Sequence, residues 1–581
     1  MRSWNTFLLI FFAFWKTDFI AMDTTLDWWQ TTVIYQIYPR SFKDSNSDGI
    51  GDLKGIEEKA EYLKDLGVGT VWLSPIFKSP MDDMGYDISD FKDIDPIFGT
   101  MADFESLRDK VHSLGMYLTL DFVPNHSSDE HEWFKKSVQK IDPYTNYYVW
   151  KDPKAWINET TPVPPNNWIS AFQGSAWTYV PERKQYYLHQ FARKQPDLNY
   201  RSNELLEEMK NVIRFWLDRG VDGFRMDAVP FLIEDDQFLD EPIINPEFTI
   251  HGIPAFDAVD HKYTQCLQGT YDILRQFREV LDSYKQKDGK TRLMMVEAYA
   301  TLNNTMRFFG TKTQPIAHIP FNFFLLTRLK DESNASDFQN AINDWMNNMP
   351  QGEWPNWVLG NHDNRRIAEK FDPSSVDSLN TLLLLLPGTP ITYNGEEIGM
   401  EGMKIRWDQT TDVGALNVGP LLYNNMSRDP ERAPLQWNSS IHAGFSDTKN
   451  KTWLPVNPNY YKLNVEAQKN DPKSHLNIYK NLTKLRSKDV FRLGGFKSYI
   501  ISERIFAFKR NLHNEIYLIV MNLNNEEEFV DIKNTVTDVP NEVFKIALAS
   551  QNSRFEVGDE LNISNSKFGM SPKSSIVLQA V

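Results

Sequence analysis

The chain has 581 residues, of which 41% are apolar and 13% aromatic. That length supports one large domain with accessories, and the apolar fraction excludes an intrinsically disordered chain. The formal charge of −16 argues against nucleic acid as a partner, because a polyanion is held by a basic face that releases counterions.

At the N-terminus Arg2 precedes the unbroken apolar run Phe7 to Trp15, followed by Lys16. The run is too short to cross a bilayer but fits the core of a secretory signal peptide cleaved near Ala21 to Asp23. Residues 1–22 are therefore read as a signal peptide, the protein as secreted, and no transmembrane anchor is expected. From about residue 27 to 488 short apolar runs alternate with amphipathic stretches. The predicted strands are Val33–Tyr38, Thr70–Leu73, Tyr117–Val123, Gly223–Met226, Leu293–Glu297, Ile319–Phe321, Trp357–Leu359 and Ile391–Tyr393. Helices are predicted over Ile56–Leu66, Phe104–Leu114, Glu204–Arg219, Tyr271–Ser283 and Ala335–Met346. Near-continuous apolar strands separated by helices specify a parallel (β/α)8 TIM barrel, an α/β fold, here assigned to residues 23–126 and 196–490.

Residues 127–195, rich in Pro, Asn, Trp and Tyr, break the rhythm and read as an inserted subdomain after the third strand. The leucines Leu382 to Leu386 stop at Pro387 and read as a buried helix end. From residue 491 to 581 the pattern turns to alternation, as in Arg504-Ile505-Phe506-Ala507-Phe508, and predicts a C-terminal antiparallel β-sandwich. Cys266 is the only cysteine, so no intramolecular disulfide forms, and it reads as a packing residue.

In such barrels chemistry sits at the C-terminal ends of the strands. The third strand ends Asp121-Phe122-Val123-Pro124-Asn125-His126, and the fourth Arg225-Met226-Asp227. The fifth ends Val296-Glu297, and the seventh Gly360-Asn361-His362-Asp363. One such carboxylate alone is as well explained by a helix cap or a surface ion pair. Carboxylates from several strand ends at one mouth exceed what a rim needs. Cleavage of a glycosidic bond requires two carboxyl groups flanking it, one ionised and one protonated. Arg225 beside Asp227 would keep that carboxylate ionised, a partly buried Glu297 could donate a proton, and Asp363 could stabilise developing positive charge.

These strand-end motifs, in order along almost the whole chain, resemble glycoside hydrolase family 13, the α-amylase family. The fit is closest to its oligo-1,6-glucosidase and insect maltase branch, marked by Gln195-Pro196-Asp197-Leu198-Asn199. Gly67 to Pro75 and Gly388-Thr389-Pro390 through Tyr393, Gly395 and Glu396 match as well. The resemblance implies a retaining, exo-acting α-glucosidase acting on small α-glucosides such as maltose or sucrose, with Asp227 as nucleophile, Glu297 as acid/base and Asp363 as transition-state stabiliser. It further implies that Arg225 holds Asp227, that His126 and His362 bind sugar hydroxyls, and that Tyr86 stacks on the ring. Asp87 and Arg432 would close the far end with a salt bridge. Ala228, after the nucleophile, favours α-1,4 over α-1,6 links, a difference worth about 1–3 kcal/mol.

Asp44-Ser45-Asn46-Ser47-Asp48-Gly49-Ile50-Gly51-Asp52 places oxygen donors at alternate positions around a glycine turn, as in the first part of a calcium loop. Position twelve is Gly55 where the helix–loop–helix version has Glu. The resemblance implies a structural Ca2+ held by Asp44, Asn46, Asp48, the Ile50 carbonyl and Asp52, and no organic cofactor. Glycosylation acceptors are Asn158, Asn303, Asn334, Asn438, Asn481 and Asn562. Asn125, formally another, lies beside the cleft and is expected to stay bare. Two rivals stand beside hydrolysis: a transglucosylase or sucrose isomerase of the same family, and a non-enzymatic relative, either a receptor or a counterpart of amino-acid transporter heavy chains.

Overall fold

Strands buried on both faces carry no polar alternation, which is why eight short apolar runs were readable as a barrel. The computed structural model describes residues 26–533, 535–539, 542–563 and 567–581, so the predicted signal peptide lies outside the described residues. The barrel strands are β1 (Ile34–Ile37), β2 (Thr70–Leu73), β3 (Tyr117–Phe122) and β4 (Gly223–Met226), then β5 (Leu293–Val296), β6 (Ile319–Pro320), β7 (Asn356–Val358) and β8 (Thr389–Tyr393). The sheet runs β6-β5-β4-β3-β2-β1-β8-β7, and every neighbouring pair is parallel. The first and last strands thus lie side by side, and the sheet is nearly closed, open only between the short strands β6 and β7.

Register on this sheet sets up the chemistry. Arg225 on β4 lies directly beside Asp121 on β3, and side chains paired in parallel register point to the same face. Just past the strands the ladder continues: the Asp227 N–H donates to Phe122 and the Glu297 N–H to Met226. Asp121 and Arg225 therefore share one level of adjacent strands, and Asp227 and Glu297 share the level two residues further along. Gly223 permits the close approach of β4 to β5, because a Cβ there would sit 2.4 Å from the Leu293 carbonyl oxygen.

Each strand returns through a helix with its own stop and start signals. The helix Asn203–Leu217 begins where Ser202 accepts the Leu205 N–H, the expected N-cap chemistry. The leucine run closes the buried helix Val376–Leu385, with Leu386 at its C-cap. Between β3 and that first helix, residues 127–195 form a helix (Glu132–Val138) and a three-stranded antiparallel sheet of Trp150–Lys151, Gln185–Leu188 and Trp177–Val180. This segment has its own small core of Val149, Trp168, Trp177, Tyr186 and Leu188.

After the barrel comes a six-stranded antiparallel sheet. Its strands are β9 (Gly495–Ile500), β10 (Ile505–Leu512), β11 (Glu515–Asn522), β12 (Val543–Ala549), β13 (Glu560–Asn562) and β14 (Ser575–Ala580), in the order β9-β10-β11-β14-β12-β13. Period-two alternation divides it. Phe506, Phe508, Ile519 and Met521 belong to the large core shared with the barrel helices. Ile505, Ala507, Leu518 and Val520 face a second core, completed by Val530, Phe568 and Met570 of a two-stranded sheet.

Candidate active site

Arg225 is the hub. It is almost completely buried, and its guanidinium pairs with Asp121 at 2.9 Å, with Asp227 by a very short contact, and with Glu297 at 2.9 Å. The second oxygen of Glu297 accepts the Ala228 N–H at 3.0 Å. One fork thus spans the two carboxyl groups that the sequence singled out. Three carboxylates facing one cation cannot all stay ionised out of water at no cost. Burial, with Glu297, Asp121 and Asp363 nearby, drives the Asp227 carboxyl well above the ordinary range, against the pull of Arg225. Burial also pushes Asp121 up to about 6, again against Arg225. Protons are therefore held more tightly on Asp227 and Asp121 than on ordinary carboxylates. Arg225 lies beside Asp227, and its guanidinium is shared with Asp121 and Glu297.

Ala228 has left-handed backbone (φ 48°), a conformation that a β-branched residue tolerates poorly. The small side chain at this position thus has a backbone reason as well as a steric one.

His362 and His126 flank the trio. Gln36 donates to Nδ1 of His362 at 2.8 Å, which leaves the ring proton on Nε2, 2.7 Å from the Tyr86 hydroxyl; that hydroxyl donates in turn to Asp121 at 3.2 Å. His126 is held between Asn125 at 3.2 Å and Gln195 at 3.1 Å. Burial lowers both imidazoles to about 3, so at neutral pH they offer hydrogen bonds and no charge. Gln195 also donates to Asp83 at 3.1 Å, and Asp197 accepts from Gln190 and Asn125. The Gln195–Asn199 motif therefore buttresses the site.

The far end is closed differently from the expectation. Asp87 makes no pair with Arg432: its buried carboxylate accepts from the Ser79 hydroxyl and the N–H groups of Asp82 and Asp83. It thereby holds the turn before Tyr86, and burial raises its pKa to about 7. The ion pair across the mouth is Asp83–Arg428 at 2.7 Å, with Arg428 also on Asp412 at 2.6 Å and on Asp363 at 3.3 Å. Arg432 instead reaches Asp363 at 2.7 Å and donates to the His362 carbonyl at 2.8 Å. Burial would raise Asp363, but His362, Arg432 and Arg428 together hold it far below the usual range. With His362 neutral above about pH 3, the two guanidinium groups are the charges that act.

Asp83, Arg428 and Gln195 were not singled out as site residues. The available signal was position alone: Asp83 lies three residues before Tyr86, and Arg428 four before Arg432. Asp83, Tyr86, His126, Asp227, Glu297, His362, Asp363 and Arg428 all line one cavity of about 290 Å³, capped by Phe172, Phe191, Phe231 and Phe256. Apolar walls around a few convergent polar groups are the usual make-up of a small-molecule site.

In the 44–52 loop Asp44 accepts N–H groups from Asn46, Ser47 and Gly49 and a hydroxyl from Ser446, while Asp52 accepts from Ser45 and Gly55. Asn46 and Asp48 each turn to the N–H two residues ahead. Among the described residues no three His, Cys, Asp or Glu side chains converge as a metal-binding group. Cys266 is buried, and so is Asn125. Of the glycosylation acceptors Asn158, Asn303, Asn481 and Asn562 are exposed, while Asn334 and Asn438 are partly buried. The Oδ1 of Asn334 caps the helix Ala335–Asn348, and that of Asn438 accepts from Ser440.

The corrected pairing predicts a split. Asp83→Asn raises KM for a small α-glucoside by about tenfold, the scale of ~1.4 kcal/mol, whereas Asp87→Asn lowers thermal stability and leaves KM within about twofold of the parent. Steady-state kinetics and melting curves of the two variants check it, and the reverse pattern would restore Asp87 to the far end.

Residues 36–494 match the family model described as alpha amylase, catalytic domain. The salivary alpha-glucosidase of Anopheles gambiae is 46% identical over 558 residues, covering 95% of this chain and 93% of that protein. The amino acid transporter heavy chain SLC3A1 of Rattus norvegicus is 39% identical over 544 residues, 92% of this chain and 77% of that protein. Among solved structures, the alpha-glucosyl transfer enzyme XgtA superposes with a TM-score of 0.83 at 32% identity, covering 96% of this chain and all of that one. Among the described residues no helix is long and apolar enough to cross a membrane. With the barrel, the strand-end residues and these matches in agreement, the chain belongs to the α-amylase catalytic-domain family.

Proposed function

We propose that the chain is a retaining, exo-acting α-glucosidase that removes the terminal non-reducing α-1,4-linked glucose from maltose, sucrose and short oligosaccharides. One observation carries the reading: a single guanidinium, Arg225, bridges Asp227 and Glu297 on the wall of one small cavity. Retention needs two carboxyl groups roughly 5 Å apart, and two groups on one fork are held as neighbours.

In the first step the Asp227 carboxylate attacks the anomeric carbon as Glu297 gives its proton to the glycosidic oxygen, so that the leaving sugar departs neutral. In the second step Glu297, now ionised, takes a proton from water, whose oxygen displaces Asp227 and restores both groups. Asp363, kept ionised by Arg428 and Arg432, faces the positive charge that develops at the ring. His126 and His362, neutral, bind hydroxyls without adding charge against the oxocarbenium-like state. The Asp83–Arg428 pair stops the chain beyond the terminal glucose. The rat transporter chain shows that this likeness alone does not specify catalysis. The enzymatic reading rests on this chain's own carboxylate set, Asp227, Glu297 and Asp363, gathered at one cavity.

The same covalent step serves a transglucosylase, and the likeness to a glucosyl transfer enzyme favours that as the second reading. The two differ only in whether water or a sugar intercepts the intermediate. The leader-like sequence at residues 1–22 and the salivary relative support secretion. For the 44–52 loop the all-oxygen donor set Asp44, Asn46, Asp48, Ile50 carbonyl and Asp52 fits calcium chemistry, and we propose a structural ion there.

Asp227→Asn abolishes glucose release from a chromogenic α-glucoside by about 10⁴-fold or more. In the parent, kcat/KM falls with acid at a pH above the ordinary aspartate range, because a raised nucleophile pKa means the ionised form is lost sooner as pH drops. A variant with near-parental turnover would end the assignment. Chelation with EDTA lowers the melting temperature by roughly a few degrees, reversed by added calcium, and leaves the chemical step intact. An unmoved melting curve removes the ion.

A further inference from the structure

The catalytic cavity has a neighbour on the side of the insertion. A cavity of about 320 Å³ lies between the 170–178 segment and the hairpin of Thr249–Ile250 with Ile253–Pro254, and Phe191 walls both spaces. Among the described residues no Asp or Glu lines it, in a chain whose formal charge is −16. Its one Lys or Arg is Arg193. The Tyr187 hydroxyl, which donates to the Arg193 carbonyl at 2.7 Å, lies beside that guanidinium, and Asp129 acts on it from a distance without an ion pair. A cation held without a carboxylate, in a hollow that excludes carboxylates, favours an anion.

The neutral groups of the lining point to the same chemistry, because their acceptors are already used. The Gln173 Oε1 accepts the Phe256 N–H at 3.0 Å, so its NH2 end remains to donate. The Ser175 Oγ accepts the Trp177 N–H at 3.2 Å, which leaves its O–H to donate. Asn417 gives one amide proton to the Phe172 carbonyl at 3.1 Å and keeps the other. His189 is bonded at both ring nitrogens, to Thr178 at 3.0 Å and to the Phe191 carbonyl at 3.1 Å, and burial lowers it to about 4. Arg193 is therefore the permanent cation of the pocket, and donors are what surround it. A planar guanidinium with several N–H and O–H donors is the usual holder of a phosphate oxygen set. Gln173 and Asn417 also hold Phe256 and Phe172, so an occupant would meet the groups that fix the aromatic cap of the catalytic cavity.

We propose that this cavity is a binding site for a phosphate group, taken up as the free ion or on a small sugar, with Arg193 as its cation and Gln173, Ser175 and Asn417 as its neutral donors. The test is calorimetric titration of sodium phosphate and of glucose 6-phosphate into the parent, Arg193→Gln and Ser175→Asp, at an ionic strength held with sodium chloride. Both positions are exposed, and melting curves check that each variant is folded. The parent is expected to bind with saturation. Arg193→Gln is expected to bind about tenfold more weakly, the scale of one charge-assisted hydrogen bond. Ser175→Asp, which adds a carboxylate yet keeps an acceptor for the Trp177 N–H, is expected to lose binding. Phosphate and glucose 6-phosphate bound alike assign the free ion, and glucose 6-phosphate bound alone assigns the sugar phosphate. No saturable binding by the parent, or equal affinity in the parent and Arg193→Gln, overturns the proposal. Binding is expected whether or not the chain releases glucose, so the site stands or falls apart from the α-glucosidase reading.

Discussion

A guanidinium buried among three carboxylates is tolerable only if every charge on it is matched and every donor placed, because out of water an unpaired member costs several kcal/mol. Arg225 is in that position, with Asp121, Asp227 and Glu297 on it. The demand propagates outward. Asp121 must sit in register beside Arg225 on the adjacent strand, Tyr86 must cover Asp121, and His362 must orient Tyr86. Gln36 on β1 must then fix the imidazole, so that the constraint begins at β4 and ends on the opposite wall of the barrel.

A second charge system closes the mouth. Arg428 and Arg432 face Asp83, Asp363 and Asp412, and they push Asp363 the opposite way from Asp227. Nearby carboxylates with diverging proton affinities are what acid/base chemistry at neutral pH needs. Here the divergence comes from which arginine each one meets. On the proposed reading the first system performs bond exchange, and the second both stabilises the cation and sets where the sugar chain stops.

The barrel was legible because its strands are buried on both faces and so read as apolar runs. Even β6, only two residues long, stood out in Ile319-Pro320. The C-terminal sheet was legible for the opposite reason: strict alternation places Phe506 and Phe508 on one face and Ile505 and Ala507 on the other. Candidate residues at strand ends were legible wherever the strand fixes direction, as for Asp227 and Glu297. The loops were not. Asp83 and Asp87 lie four residues apart on one turn, and which of them faces the cavity is decided by three local hydrogen bonds to Asp87 that no periodicity encodes. Arg428 and Arg432 were confused for the same reason, since both sit in an irregular segment reached from the opposite side of the mouth. The sharing of Arg225 was invisible because Asp121 and Arg225 meet only through strand register.

On the proposed reading Asp227 and Glu297 act as a pair flanking the scissile bond. The most direct measurement is the anomeric configuration of the first glucose released, followed by proton NMR from the start of the reaction. α-Glucose is expected first, mutarotating later to β. Initial release of β-glucose would mean that a single displacement by water occurs across a wider gap, and would contradict the paired arrangement described above.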